Sequence, residues 1–300
     1  MNNIELNHID LNSIGLNSKT IDGIGKSHGG KVKPYIKGHV TDGSNIYQLK
    51  IGDTSINVPV NENGWFKWAD IKEYKTALET QQLWVNPNNG SLDVIEICIN
   101  NMTLFRVNTT PSDIATNYSL KIIDFKNSNI TITGRAISSY NCVNVEEIKN
   151  TKKIKLISTD TRAIRASFYK TVALKNLPYM CNYQFLVEGG EYEMMFSNTI
   201  TKIDGLIPIV STALNQFGSL PNLEEILDCA EILYNVSFAK SSKLTAQSVV
   251  NLFNAVAADG ITLTFHPTVF AMIEQQLEIE GSPIYEAYWN SDYDFNYASA

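Results

Sequence analysis

The sequence predicts a mixed, β-rich fold: a short N-terminal arm, a small antiparallel β module, a degenerate repeat solenoid and a helix–strand–helix C-terminal cap. Three observations carry this. Ile, Leu and Asn recur in consecutive five-residue units between Ile4 and Ser18. Apolar and polar residues alternate between Tyr35 and Trp68, broken by Gly, Asn and Asp turns. An aliphatic–x–x–aliphatic unit then returns at nearly even spacing from Leu92 to Ile226. The chain has 300 residues, 44% of them hydrophobic and 18% charged, so it can build a core.

The arm, residues 1–32, reads Ile4-Glu5-Leu6-Asn7-His8, Ile9-Asp10-Leu11-Asn12-Ser13 and Ile14-Gly15-Leu16-Asn17-Ser18. Within each unit Ile and Leu alternate with a polar residue, as in a strand. Five is odd, so the chain must turn once per unit or change face. The stretch resembles the pentapeptide repeats that coil into a square β-helix, although it is shorter than one coil of four units. A true coil and a disordered arm remain open beside the reading taken here, an extended docking arm. Its candidate binding residues are Ile4, Leu6, Ile9, Leu11, Ile14 and Leu16, which a lone arm cannot bury by itself. Residues 26–31 form a hinge-like break.

Residues 33–72 read as the β module. Its strands are Tyr35–Val40, Ile46–Ile51, Ile56–Val60 and Trp65–Trp68. They are joined by turns at Asp42–Asn45, Gly52-Asp53 and Asn61–Gly64.

Residues 73–240 carry the repeat. Its units begin at Leu92, Leu120, Val145, Leu174, Ile200 and Leu223, at intervals of 28, 25, 29, 26 and 23 residues. Asn144-Val145-Glu146-Glu147-Ile148 recurs as Asn222-Leu223-Glu224-Glu225-Ile226. Six residues before the first aliphatic another apolar residue often stands: Ile114, Phe168, Met194 and Phe217, with Ser139 breaking the column. Each such unit offers one short strand plus a loop or turn, and buries its aliphatics only against its neighbours. Asn141-Cys142-Val143-Asn144-Val145-Glu146-Glu147-Ile148 resembles the NCxxLxxI line of BspA-type leucine-rich repeats. Phe168 to Leu177 is similar to the same line with its Cys replaced. The resemblance spans roughly residues 90–277 and implies a degenerate leucine-rich-repeat solenoid. Cys stands at that place in only one unit, and the third aliphatic of the strand is mostly missing.

Residues 241–300 change pattern. Leu244 to Ala257 has helical spacing, with Leu244, Val249, Leu252, Phe253 and Val256 on one face. Thr245 can cap its start and Asp259-Gly260 is expected to end it. Ile261–Phe265 reads as a strand and Thr268–Leu277 as a second helix. The run resembles the cap that follows BspA-like repeats in proteins of gut Bacteroidetes bacteria and their phages. The acidic, aromatic stretch from Tyr285 to Tyr297 is expected to fray or to dock on a partner.

The chemistry-bearing residues do not form a catalytic set. The four histidines, His8, His28, His39 and His266, are never three or four residues apart, and no HExxH or GxSxG occurs. Gly25-Lys26-Ser27 matches the end of a phosphate loop, but Thr20 stands where its first glycine belongs. Cys98, Cys142, Cys181 and Cys229 lack metal spacing and read as buried free thiols. Asp292 and Asp294 lack the Gly and Glu of a calcium loop. Glu146, Glu147, Glu224 and Glu225 recur at one repeat offset, which favours solvated positions over acid–base work. No cofactor, no metal and no enzyme activity are expected.

A net charge of −7 with only short basic runs argues against nucleic-acid partners. No apolar run reaches the 18 residues of a membrane span, and Met1 to Leu6 lacks the features of a secretory signal. The expectation is a structural bacteriophage virion protein, a head or tail fibre or decoration component. It would dock on capsid or tail proteins through the arm and self-associate as a homo-oligomer. Its repeats would be displayed towards a host surface polysaccharide or protein. Such proteins reach the outside by assembly and lysis, without a signal. A BspA-like bacterial surface adhesin is the alternative, and a glycan-cleaving depolymerase a third class.

Overall fold

A computed structural model describes residues 33–86, 91–109, 119–139, 142–160, 162–164, 168, 171–186, 198–211 and 217–300. The arm and its six apolar residues lie outside the described residues. Pro34–Ala300 form one compact unit.

The β module forms where the alternation places it. Strands β1 (Tyr35–Val40), β2 (Ile46–Ile51), β3 (Thr54–Pro59) and β4 (Trp65–Trp68) pair antiparallel as β1 with β4 and β2 with β3. Gly43, Gly52 and Gly64 all adopt positive φ in the turns, a conformation that costs glycine little. The module does not stand alone. β1 pairs antiparallel with β6 (Leu92–Cys98), and β2 with β5 (Gln82–Trp84). β5 in turn pairs parallel with β7 (Asn100–Asn108). The module is thus continuous with the repeats and covers the first edge of both their sheets, which would otherwise expose unpaired amides. Helix α1 (Lys75–Thr80) and the turn at Asp70–Lys72 bury Leu78 and Ile71 beside them.

The repeats coil into a β-solenoid of about five turns. In the first wall, Ile95, Ile123 and Ile148 stack in parallel register on β6, β8 (Ile122–Asp124) and β10 (Glu147–Lys149). Leu177, Ile203 and Ile226 do the same on β12 (Asn176–Tyr179), β14 (Lys202–Gly205) and β15 (Glu225–Ile226). The opening aliphatics Leu92, Leu120, Val145, Leu174, Ile200 and Leu223 are all buried. Each contributes about 1.5–3 kcal/mol of apolar transfer. The six aliphatic units of the sequence are therefore one continuous inward column.

A second wall lies beyond the single strand per unit that the sequence predicts. β7, β9 (Asn129–Ser138), β11 (Ile154–Ser158) and β13 (Tyr183–Phe185) run parallel and align Leu104, Ile132, Leu156 and Tyr183. At the corners between walls Asn101, Lys126 and Asn150 adopt positive φ, a role to which the abundant asparagines are suited.

Before Val145, Leu174 and Leu223, and again before Leu244, comes a tandem turn. Cys142 N donates to Ser139 O and Val145 N to Cys142 O, and the pattern repeats from Phe168, Phe217 and Phe238. Ser139 is buried and keeps the backbone turn although it breaks the apolar column. Ile114 and Met194 lie outside the described residues.

The C-terminal part contains β16 (Val236–Phe238), α2 (Ala246–Phe253), β17 (Thr262–Phe265), α3 (Pro267–Leu277), α4 (Pro283–Trp289) and β18 (Asn296–Ser299). The Thr245 side chain accepts from Ser248 N and caps α2 as expected. The helix ends at Phe253, earlier than Asp259-Gly260, because Val256 is drawn into a parallel bridge with Ile232. Gly260, at φ 71°, instead turns the chain into β17. The closing stretch is folded rather than frayed. β18 pairs parallel with β17, and Phe295 is buried against Phe253.

Candidate functional site

The outward face of the first wall is charged. Because side chains alternate across a strand, burying Ile95, Ile123 and Ile148 turns Glu96, Asp124 and Lys149 outward on one register row. Lys126 lies 2.9 Å from Asp124 and 3.5 Å from Glu96, and Lys37 lies 3.9 Å from Glu96. Burial alone would raise the Asp124 carboxyl. Hydrogen bonds from Asn150 and Lys126 outweigh it and hold the group below its ordinary value. The ion pair with Asp124 holds Lys126 above its own.

This wall is interrupted. β10 and β12 belong to separate sheets, and side chains span the gap. Tyr179 N donates to Thr151 Oγ1 at 2.9 Å, and Asn182 Nδ2 to Lys152 O at 2.6 Å. An open groove of about 640 Å³ follows the interruption, lined among others by Lys149, Lys152, Asn176, Tyr179, Asp204 and Asp228. Glu146 and Glu147 also line it, so four carboxylates face two lysines.

Tyr179 is the aromatic platform of the groove. Its hydroxyl donates to Asp228 Oδ2 at 2.9 Å, and Lys152 Nζ lies 5.6 Å from its ring centroid. Burial first, then the bond to Asp228, pushes the phenol up, so it stays a neutral donor. Gly205 makes room for the ring, because a Cβ there would lie 2.5 Å from Tyr179 Cδ2. The carboxylates are largely committed. Asp204 pairs with Lys202 at 3.4 Å, Glu147 pairs with Lys149, and Asp228 Oδ1 accepts from Cys229 N. The site can offer hydrogen-bond acceptors, two ammonium groups and one ring face to a polar ligand.

The docking-arm residues Ile4, Leu6, Ile9, Leu11, Ile14 and Leu16 lie outside the described residues, as do His8, His28 and Gly25-Lys26-Ser27. His39 Nδ1 lies 2.8 Å from Asp93 Oδ1 beside the Trp65 ring, and His266 caps α3 by accepting from Thr268 N. No group of three or more metal-ligating side chains occurs among the described residues. All four thiols are free; Cys98 and Cys142 are buried, and Cys181 and Cys229 half-buried. Burial pushes the Cys142 thiol up to about 12 and the Cys181 thiol up to about 11, which leaves both protonated at neutral pH. Asp294 N donates to Asp259 Oδ1 at 2.9 Å. Glu224 pairs with Lys243 at 3.3 Å.

The sequence singled out Glu146 and Glu147 only as solvated positions, and Lys149, Lys152, Tyr179, Asp204 and Asp228 were missed. Two signals were available. The interval across the gap, from Val145 to Leu174, is the longest at 29 residues, and β12 carries Pro178, which has no amide hydrogen to give a ladder.

Comparison of the chain with protein-family models, curated proteins and solved structures finds no match. No helix among the described residues is long and apolar enough to cross a membrane.

Proposed function

We propose that the solenoid is a binding module that seats an extended, uncharged polar polymer, a surface polysaccharide, in the groove between β10 and β12. The groove with Tyr179 as platform is the observation that carries this reading. A ring face stacks on the apolar face of a sugar, and carboxylates and amides bind its hydroxyls. Four carboxylates against two lysines favour a neutral chain over an acidic one. The repeats would be of the BspA-like leucine-rich type, and the setting a bacteriophage virion, as a head or tail fibre or decoration component. The arm would dock on capsid or tail proteins, and a homo-oligomer would multiply weak single contacts. A BspA-like bacterial surface adhesin would use the same groove.

The groove's carboxylates also favour one reading from another class, a glycan-cleaving depolymerase. Their commitments to Lys202, Lys149, Tyr179 and Cys229 support binding over proton transfer.

The setting is tested by mass spectrometry of salt-washed phage particles from the culture that encodes the chain. Stoichiometric presence is expected, and an Ile9/Leu11/Ile14→Asp variant should fail to incorporate. Absence from particles with presence on bacterial envelopes would replace the virion by the adhesin. The groove is tested by a Tyr179→Ala variant, expected to lose polysaccharide retention at least tenfold. Shortened glycan products from the unaltered protein would instead establish the depolymerase.

A further inference from the structure

All four arginines of the chain fall within one stretch, at Arg106, Arg135, Arg162 and Arg165, whereas its lysines are spread from Lys19 to Lys243. Arg165 lies outside the described residues. Arg106 and Arg135 meet on the second wall, and the Arg162 backbone lies close by. Arg106 of β7 stands opposite Arg135 of β9, and Gln82 of β5 stands opposite Arg106 on its other side. Gln82, Arg106 and Arg135 therefore form a row across three neighbouring strands, spaced by about 4.8 Å per strand. Arg135 Nε donates to Asp160 Oδ2 at 3.2 Å, and Arg162 N donates to Asp160 Oδ1 at 2.8 Å.

The backbone is irregular at this row. The register between β7 and β9 shifts between Leu104 and Arg106, beside Gly134 at φ 85°. Any other residue would be strained there, and its Cβ would lie 3.0 Å from Phe105 O. Such bulges re-aim side chains and are enriched next to binding sites.

Two donors in the row have nothing to bond. Arg106 Nε and Gln82 Nε2 are both buried and without a hydrogen-bond partner. Buried polar groups are nearly always paired, and an unpaired charged donor is among the costlier exceptions. Burial and then the Arg135 charge lower Arg106 to about 10, which still leaves it protonated at neutral pH. Asp160 is the carboxylate at hand for two guanidinium groups. A water could satisfy one donor but would leave the excess charge. An oxyanion does both, and guanidinium matches carboxylate, phosphate and sulfate geometry better than an ammonium does.

We propose that the Gln82–Arg106–Arg135 row binds a single oxyanion carried by a ligand, a carboxylate, phosphate or sulfate group, through Arg106 Nε and Gln82 Nε2 with Arg135 alongside. The site stands independently of the groove, which lies on the other wall and is lined by carboxylates.

The test is thermal melting of the full chain at constant ionic strength, with chloride exchanged in steps for phosphate, sulfate or glucuronate. At least one of these probes is expected to raise Tm saturably in the unaltered protein. Arg106→Gln should weaken that response at least tenfold. Arg106→Lys keeps the charge but loses the Nε donor, and should weaken it by about tenfold as well. Arg135→Gln, at a half-exposed position, should weaken it less, and serves if the Arg106 variants do not fold by circular dichroism. Lys243→Ala, at an exposed position outside both sites, should leave it unchanged. A stronger response to glucuronate assigns a carboxylate ligand, and a stronger response to phosphate or sulfate assigns those groups. No saturable response, or one that Arg106→Gln and Arg135→Gln leave as strong as in the unaltered protein, overturns the site, the latter because it would be general salt stabilisation.

Discussion

The second wall is held by the long ladder of β7 and β9, whereas between β14 and β18 the chain is held by short strands and stacked rings. β7 and β9 span nine and ten residues, but β14 spans four and β15 two. Single bridges, Ile209 with Ile232 and Ile232 with Val256, continue the coil near the C-terminus. There the aromatic side chains take over. Phe217 lies 5.9 Å from Phe238, which lies 6.3 Å from Phe265, and Phe253 is ringed by Phe265, Tyr288, Phe295 and Tyr297. Backbone register sets the first region and side-chain shape the second. The candidate groove lies where the first regime gives way, at the gap between β10 and β12.

The largest expected effect comes from breaking the ring stack. Phe238 is fully buried between two other rings, so Phe238→Ala should cost about 3–5 kcal/mol in urea unfolding. In the ladder region Ile132→Val removes a single buried methylene and should cost about 0.5–1.5 kcal/mol.

At the boundary, Gly205→Ala should cost about 1–3 kcal/mol, since its methyl group meets the Tyr179 ring. The same change should tilt that ring and weaken polysaccharide retention, whereas a purely structural glycine would alter stability alone. Urea midpoints and retention assays on one preparation separate the two.

The smallest effect concerns pH. The Asp124 carboxyl is held below its ordinary value, so its contribution is present above the unfolded value near 3.9 and is lost as pH falls through the folded one. Urea midpoints measured from pH 7 down to pH 3 should therefore fall less steeply for Asp124→Asn than for the unaltered protein.

Much of the first wall was legible because its signal is local. Leu92 and Ile95 sit three residues apart in one short stretch, and the same pair returns five more times. The module's strands and the Thr245 cap are likewise written in neighbouring residues. The second wall was not legible, because its pattern is interrupted by an exposed Phe105 and by the bulge at Gly134. The groove arises from hydrogen bonds that are not made between β10 and β12, and its traces, a 29-residue interval and Pro178, gain meaning only once the coil is known. The arginine row joins residues 24 and 29 positions apart, Gln82 to Arg106 and Arg106 to Arg135, which only the coil brings together. Its compositional trace, every arginine inside one stretch, was visible in the sequence all along.

The most direct test of the groove is hydrogen–deuterium exchange on the full chain, alone and with whichever member of a panel of neutral polysaccharides it retains. Ligand seated in the groove should slow exchange in peptides covering Glu146–Lys152 and Asn176–Tyr179 and leave α3 unchanged. Retention of no member of the panel, or protection elsewhere with those two segments unaffected, would contradict it.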